Sequence, residues 1–220
     1  MRKKPVFHGW AAGAAAFLLS AAGVAGQSRV VNCIAAVVNN EIITRTDVEI
    51  AEALEIFEPA GGGADPQARR GRILDKLIDR LIVLTQVRDG TVPDPTLIEA
   101  EWAGLVARLG APTLRGRLDE FGMTEADARE IIGRGSRFRR IIADRFGRSV
   151  SVTLKEIETF YADAYTAARK KEGTPVKPLV EVLDAIEAEL KRAKIEVQAA
   201  LWIETLREQA EIEIRPNCLK

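Results

Sequence analysis

Cys33-Ile-Ala-Ala-Val-Val-Asn-Asn-Glu-Ile-Ile-Thr-Arg-Thr-Asp-Val-Glu49 reads as two short apolar strands folded about a polar turn, with a helix start directly after them. Ile34, Ala36 and Val38 alternate with Ala35, Val37 and Asn39, the period of a strand with buried faces. Asn39-Asn40 supplies residues that tolerate left-handed backbone angles, as a tight hairpin requires. Ile42-Ile43 restarts the apolar run. Thr46-Asp47-Val48-Glu49 then fits a capping box, with the Thr46 hydroxyl accepting from a free helix N–H and Glu49 reaching back to the Thr46 amide.

Aromatic residues make up 5% of the 220 residues and charged residues 29%, a balance that favours long amphipathic helices. Formal net charge is zero, so electrostatics offers no argument for nucleic acid. Residues 1–26 have the pattern of a secretory signal peptide: basic Arg2-Lys3-Lys4, an apolar run from Ala11 to Val24, then the small residues Ala25 and Gly26 suited to cleavage. The run is shorter than the roughly 20 residues of a spanning helix, so a soluble exported protein is expected, with no stable membrane insertion after cleavage. Cleavage takes three of the 32 basic residues and none of the 32 acidic ones, leaving a net charge near −3. It also takes His8, the only histidine. The mature chain then has no histidine for a nucleophilic dyad, a metal site or a general base.

Downstream the chain reads as helices. Val48, Ile50, Ala51, Leu54 and Phe57 give a stripe over Asp47–Phe57, broken by Pro59-Ala-Gly-Gly-Gly-Ala. No Gly-Lys-Ser/Thr follows those glycines, so they read as a solvated loop and not a phosphate cradle. Asp65-Pro66 opens a long central helix to about Arg88, with Ile73, Leu74, Leu77, Ile78, Leu81, Leu84 and Val87 repeating at three and four. Asp94-Pro95 caps a helix over Thr96–Leu109, a short helix runs from Thr113 to Phe121, and Thr124 caps Glu125–Phe146. Thr153-Leu-Lys-Glu156 is a further capping box, Lys170–Pro178 is a loop, and Leu179–Gln209 is one long helix or two nearly continuous ones. Ala210-Glu-Ile-Glu-Ile-Arg-Pro216 alternates strictly and predicts a closing strand.

The Glu125–Arg148 stretch carries seven arginines interleaved with Phe138 and Phe146. A nucleic-acid surface is one reading. The preferred reading packs Ile131, Ile132, Phe138, Ile141 and Ile142 inward with arginines solvated or paired to acids. Arginines beside exposed aromatics also suit an adaptable peptide-binding surface. Acidic pairs such as Asp75/Asp79 and Glu187/Glu189 read as solvated helix faces.

The opening stretch A-x-V-N-x-x-I-I-T-x-x-D-V, the central run I-L-D-K-L-I-D-R-L-I-V-L-T-Q and the closing L-W-I-E-T-L-R-E-Q-A-E-I-E-I resemble the SurA-like periplasmic chaperone family. The resemblance covers nearly all of Val31–Arg215. It implies a mainly α fold: a multi-helix module with a small antiparallel sheet, the terminal strand adding to the N-terminal hairpin. Residues 27–220 would form this module, 27–152 as the N-terminal helical part and 153–220 as closing helices and strand. Family members commonly insert one or more parvulin-type prolyl isomerase domains between the helix at Thr153–Tyr165 and the closing helix; here only Thr166–Pro178 occupies that junction. The resemblance therefore implies a chaperone module without the enzyme, in the periplasm, needing no cofactor.

That topology brings the two cysteines together. If Val37 faces Ile214 in an antiparallel pair, Cys33 also faces Cys218, and a disulfide becomes geometrically possible in the oxidising compartment that export supplies. The loop closed is long, worth about 4–5 kcal/mol in the chain-entropy model. Two free thiols, with Cys218 on a frayed tail, remain the alternative.

The function that follows is holding unfolded outer-membrane or exported polypeptides on an apolar surface, with no nucleic acid involved. Trp102, Phe121, Met123 and Phe138 are candidates for that surface, although large apolar residues on helices usually face inward. The alternatives are an assembly subunit fitted to one dedicated partner, and isomerase activity from the helices themselves, for which no acid/base constellation is visible.

Overall fold

A computed structural model describes residues 32–59, 65–86 and 93–219. The expected leader, the glycine-rich break and the end of the central helix beyond Gln86 lie outside the described residues. The hairpin forms as read: β1 (Ile34–Val38) and β2 (Glu41–Thr44) run antiparallel about Asn39-Asn40, and Asn39 adopts the left-handed conformation at φ 55°. A third strand, β3 (Ile212–Ile214), pairs antiparallel with the other edge of β1, giving the order β2-β1-β3.

The register of β3 is one residue from the one assumed. Ala36 faces Ile214 and Val37 faces Glu213. Asn39 sets it: its amide donates to the Glu211 carbonyl at 2.7 Å, and its side-chain oxygen accepts from the Glu211 amide at 3.0 Å. A slip of one residue would break both bonds and turn Ile212 and Ile214 off the face they share with Ala36 and Val38. The strand is also shorter than Ala210–Pro216, because the chain turns into a 3-10 helix at Pro216–Leu219. That turn carries Cys218 back to Cys33, with Cα atoms 5.9 Å apart, within disulfide-bonding distance. The cysteine pair was thus anticipated from a register the chain does not use.

Helix α1 (Arg45–Ala53) begins earlier than expected. Thr44 is its cap: its hydroxyl accepts from the Asp47 amide, and the Asp47 carboxylate accepts from the Thr44 amide. The strand runs straight into the helix, so the last extended residue has to be the cap. Thr46 sits inside the first turn, where its hydroxyl donates to Asn32 Oδ1 at 3.0 Å. The helix also stops before Phe57. Glu55 takes φ 51°, a conformation that costs a non-glycine residue energy. Its side chain, 8% exposed, is held by Arg108 at 3.5 Å and Arg117 at 3.3 Å. Arg117 also donates to the Ala53 carbonyl, capping α1 from a different helix.

Helix α2 (Pro66–Gln86) is central, as its apolar stripe implied. Ile73, Leu74, Ile78, Ile82 and Val83 are buried against Ala36, Val38 and Ile43 of the sheet and Val48 and Ala51 of α1. Leu206, Cys218 and Leu219 close this core from the C-terminal end of the chain. Side chains as fully buried as Ile78 contribute about 1.5–3 kcal/mol each.

A second core lies among α3 (Pro95–Leu109), α4 (Ala111–Glu120) and α5 (Glu125–Phe146). It contains Leu54, Trp102, Leu105, Leu114, Leu118, Ala128 and Ile132. Gly110, at φ 81°, turns the corner between α3 and α4, where an L side chain would be strained. Thr124 and Asp127 form the capping box that starts α5. The C-terminal half of α5 reaches the first core through Ile141.

The third core is small. α6 (Leu154–Phe160) continues through one π-helical turn at Tyr161–Tyr165 into α7 (Thr166–Lys171), and α8 (Leu179–Gln209) packs back along it. Ile157, Val182 and Ile186 are the buried residues here. At 31 residues α8 is about 46 Å long. It buries Val182 and Ile186 in this arm at one end and Leu206 in the sheet core at the other. The fold is therefore mainly α with a small three-stranded antiparallel sheet.

Candidate functional site

Between its two anchors α8 packs on the C-terminal half of α5 at Trp202 and Phe146 and leaves a groove beside that contact. Ile195, Ala199 and Ile203 face Phe138, Ile142 and Ala143 across an open groove of about 940 Å3. Small side chains leave the gap unfilled: Ala188, Ala199 and Ala200 on α8 and Ala143 on α5 occupy less of the space between the helices than Leu or Ile would. The lining is mostly apolar. Charges of both signs edge it, among them Asp79, Arg139, Lys191, Arg192, Glu196 and Glu204.

The two ends of the groove are fixed differently. Beside Arg207, α8 is tied to α2, with its guanidinium 3.2 Å from Asp75 and 3.3 Å from Asp79. Burial raises the Asp79 pKa, Asp75 adds to the rise and Arg207 opposes it. Asp79 is thus a half-buried partner of α8 and not part of the solvated face its spacing suggested. On the neighbouring turn, Trp202 packs edge-on against Phe146 with ring centres 5.8 Å apart, and the Arg145 guanidinium lies 4.3 Å over the indole. Towards the arm, Lys194 donates to the Ser151 carbonyl at 2.9 Å and pairs with Glu156 at 2.7 Å. The Lys194 hydrogen bond, with those from the Thr153 amide and hydroxyl, holds Glu156 down to about 2. Here α8 has a second, smaller cleft of about 670 Å3, lined by Val150, Leu190 and Val197.

The four candidates from the sequence do not meet in one place. Phe138 lines the groove. Trp102 and Met123 share another cleft, of about 480 Å3, between α3 and α4. Trp102 is buried there under the Arg129 guanidinium, 4.3 Å away, which Glu99 and Glu125 hold in place. Phe121 is half-buried at the end of α4 and lines neither space. The arginines of α5 are mostly engaged with acids: Arg129 as above, Arg134 with Glu130, Arg139 with Glu101 and Arg140 with Asp144.

The groove residues that sequence reasoning missed are the alanines. Ala188, Ala199 and Ala200 read as ordinary helix formers, and no pattern marks an alanine as the floor of a groove. Ile195 and Ile203 share its walls. Leu201 and Val197, 54% and 59% exposed, extend apolar surface around α8 away from it.

Chemically, this arrangement can hold apolar side chains and offer charged partners of either sign at its edges. Among the described residues no group of three acidic, cysteine or histidine side chains is placed to hold a metal ion, and no helix is long and apolar enough to cross a membrane. No protein-family model matches the chain, and no curated protein matches it.

Proposed function

We propose that this chain is an exported holding chaperone of the SurA-like kind, which binds unfolded outer-membrane or other exported polypeptides in the periplasm without isomerising them. The observation that carries the reading is the α5–α8 groove, open, mostly apolar and edged by charges of both signs. Such a surface takes many apolar segments weakly, because no deep pocket selects one side chain and the edge offers partners to acidic and basic clients alike. Supporting it are the sequence resemblance, the leader-like residues 1–26, and the Cys33–Cys218 pair, which an oxidising compartment would join.

One observation favours a second reading, a subunit dedicated to one partner. The alanines of α8 let another helix approach closely, which would suit a single cognate helix. Dilution of a chemically unfolded outer-membrane protein, followed by light scattering with and without the purified protein, separates the two. Suppression of aggregation for several unrelated clients at near-stoichiometric ratios is expected. Ala200→Arg, which places a charged side chain in the groove at an exposed helical position, should abolish it. A folded sample that suppresses nothing would sink the general chaperone and leave the dedicated subunit.

A further inference from the structure

On the side of α5 facing α3 lies a smaller cleft of about 280 Å3 in which four chain segments meet. Arg80 enters from α2, Arg139 from α5, Glu101 and Arg108 from α3, and Glu55 from the turn after α1. Two of the three cations already have carboxylates. Arg139 is paired with Glu101, and Arg108 with Glu55. Arg80 is different. Its guanidinium stacks at 4.5 Å on the Phe57 ring, its Nε is buried and unpartnered, and among the described residues no carboxylate stands within ion-pair distance of it. Burial brings its pKa down to about 10, Arg139 and Arg134 push the same way, and Glu101 opposes them. At neutral pH the side chain is still charged, in a place where a lone charge is unfavourable.

The two guanidiniums are brought together on the bare backbone of α5. A Cβ at Gly135 would stand 3.4 Å from Arg80 Nη2 and 3.5 Å from Arg139 Nη1, so both pack against the same position. Across the cleft, Gly104 leaves open space, with nothing within 4 Å of where its Cβ would be. The geometry points to a binding site for one carboxylate group, received by Arg80 and Arg139 in the cleft between α3 and α5. A carboxylate matches the planar fork of a guanidinium, and two forks can share it. Cations outnumber carboxylates here, since Arg80, Arg108 and Arg139 line the cleft with Glu55 and Glu101 and Arg117 also pairs with Glu55, so the cleft favours an anion and the guanidinium forks favour a carboxylate. The volume admits a small free acid or the last residue of a polypeptide, two sources of one chemistry. This inference stands apart from the groove reading, although Arg139 edges both spaces; Arg80 belongs to this cleft and not to the groove.

Calorimetric titration at low ionic strength tests it, with four probes: acetate, the N-acetylated tripeptide Ala-Ala-Phe with a free C-terminus, the same peptide as its amide, and inorganic phosphate. The free-acid peptide or acetate should bind, and the amide should bind at least tenfold more weakly than the acid. A peptide acid at least tenfold tighter than acetate identifies a chain end as the occupant; equal affinities identify a small acid. Arg80→Met should weaken binding tenfold or more. Gly104→Leu should do the same while removing no charge and leaving every arginine in place. Equal binding of acid and amide, tighter binding of phosphate than of either carboxylate, no binding by any probe, or unchanged binding in both folded variants would each overturn the assignment.

Discussion

The sheet end of the molecule and the α6–α7 arm are built to different standards. Around the sheet, fifteen buried residues form one cluster, the two ends of the described chain meet beside β1, and Asn39 locks β3 in register. The arm has three buried residues, an exposed connection over 172–178, and Val180 81% exposed beside it. One helix joins the two ends. Because α8 is continuous, the arm needs little packing of its own to stay extended, and the groove it spans with α5 need not be sealed by a core. The lesson is that the apolar residues are spent where the chain must close, leaving the middle of α8 free to face something else.

The sharpest way to break that contrast is at the cysteines. Replacing Cys33 and Cys218 with serine should lower global stability by about 2–5 kcal/mol in denaturant melts, because the loop it closes spans 185 positions. Next in size is a paired truncation. Ile78→Ala, at a position with no exposure, should cost about 2–5 kcal/mol and show as a shifted midpoint for the whole molecule. Ile186→Ala should instead raise hydrogen exchange within α6, α7 and the first turns of α8, with the sheet amides unchanged. Equal global shifts from both would erase the distinction between the two ends. Asn39→Ala should cost about 1–2 kcal/mol, losing the left-handed preference and the Glu211 bond together.

The smallest effect separates the two ends by pH. Glu156, in the arm, has its pKa lowered from 4.5 to about 2, so its contribution is present above about 4.5 and is lost as pH falls towards 2. Asp79, at the edge of the sheet core, has its pKa raised above 3.8, so ionisation there opposes folding and acid relieves it. Between pH 4.5 and 2 the arm amides should therefore lose protection first. Glu156→Gln should flatten that dependence, as hydrogen exchange across a pH series would show.

The long helices were legible because their ends carry strong local signals. Thr124 with Asp127 fixed the start of α5, and Pro178 and Ala210 bounded α8, so the expected spans Glu125–Phe146 and Leu179–Gln209 are the observed ones. The start of α1 was ambiguous: Thr44 and Thr46 each have an acid three residues on, and only the end of β2 decides between them. The register of β3 depends on one asparagine side chain 172 positions away from Glu211, which alternation cannot reveal. The site was the least legible part. Aromatic residues attract attention in a sequence, yet Trp102 is covered by Arg129, and the groove is made by alanines whose meaning depends on how far apart α5 and α8 stand.

The most direct measurement places a photo-crosslinking amino acid at Ala200 in the groove and, in a separate variant, at Ala111 in the α3–α4 cleft, then adds an unfolded outer-membrane client. Crosslinks to client from position 200, with few from position 111, are expected. Crosslinks from 111 and none from 200 would move client binding away from the groove and contradict the proposed function.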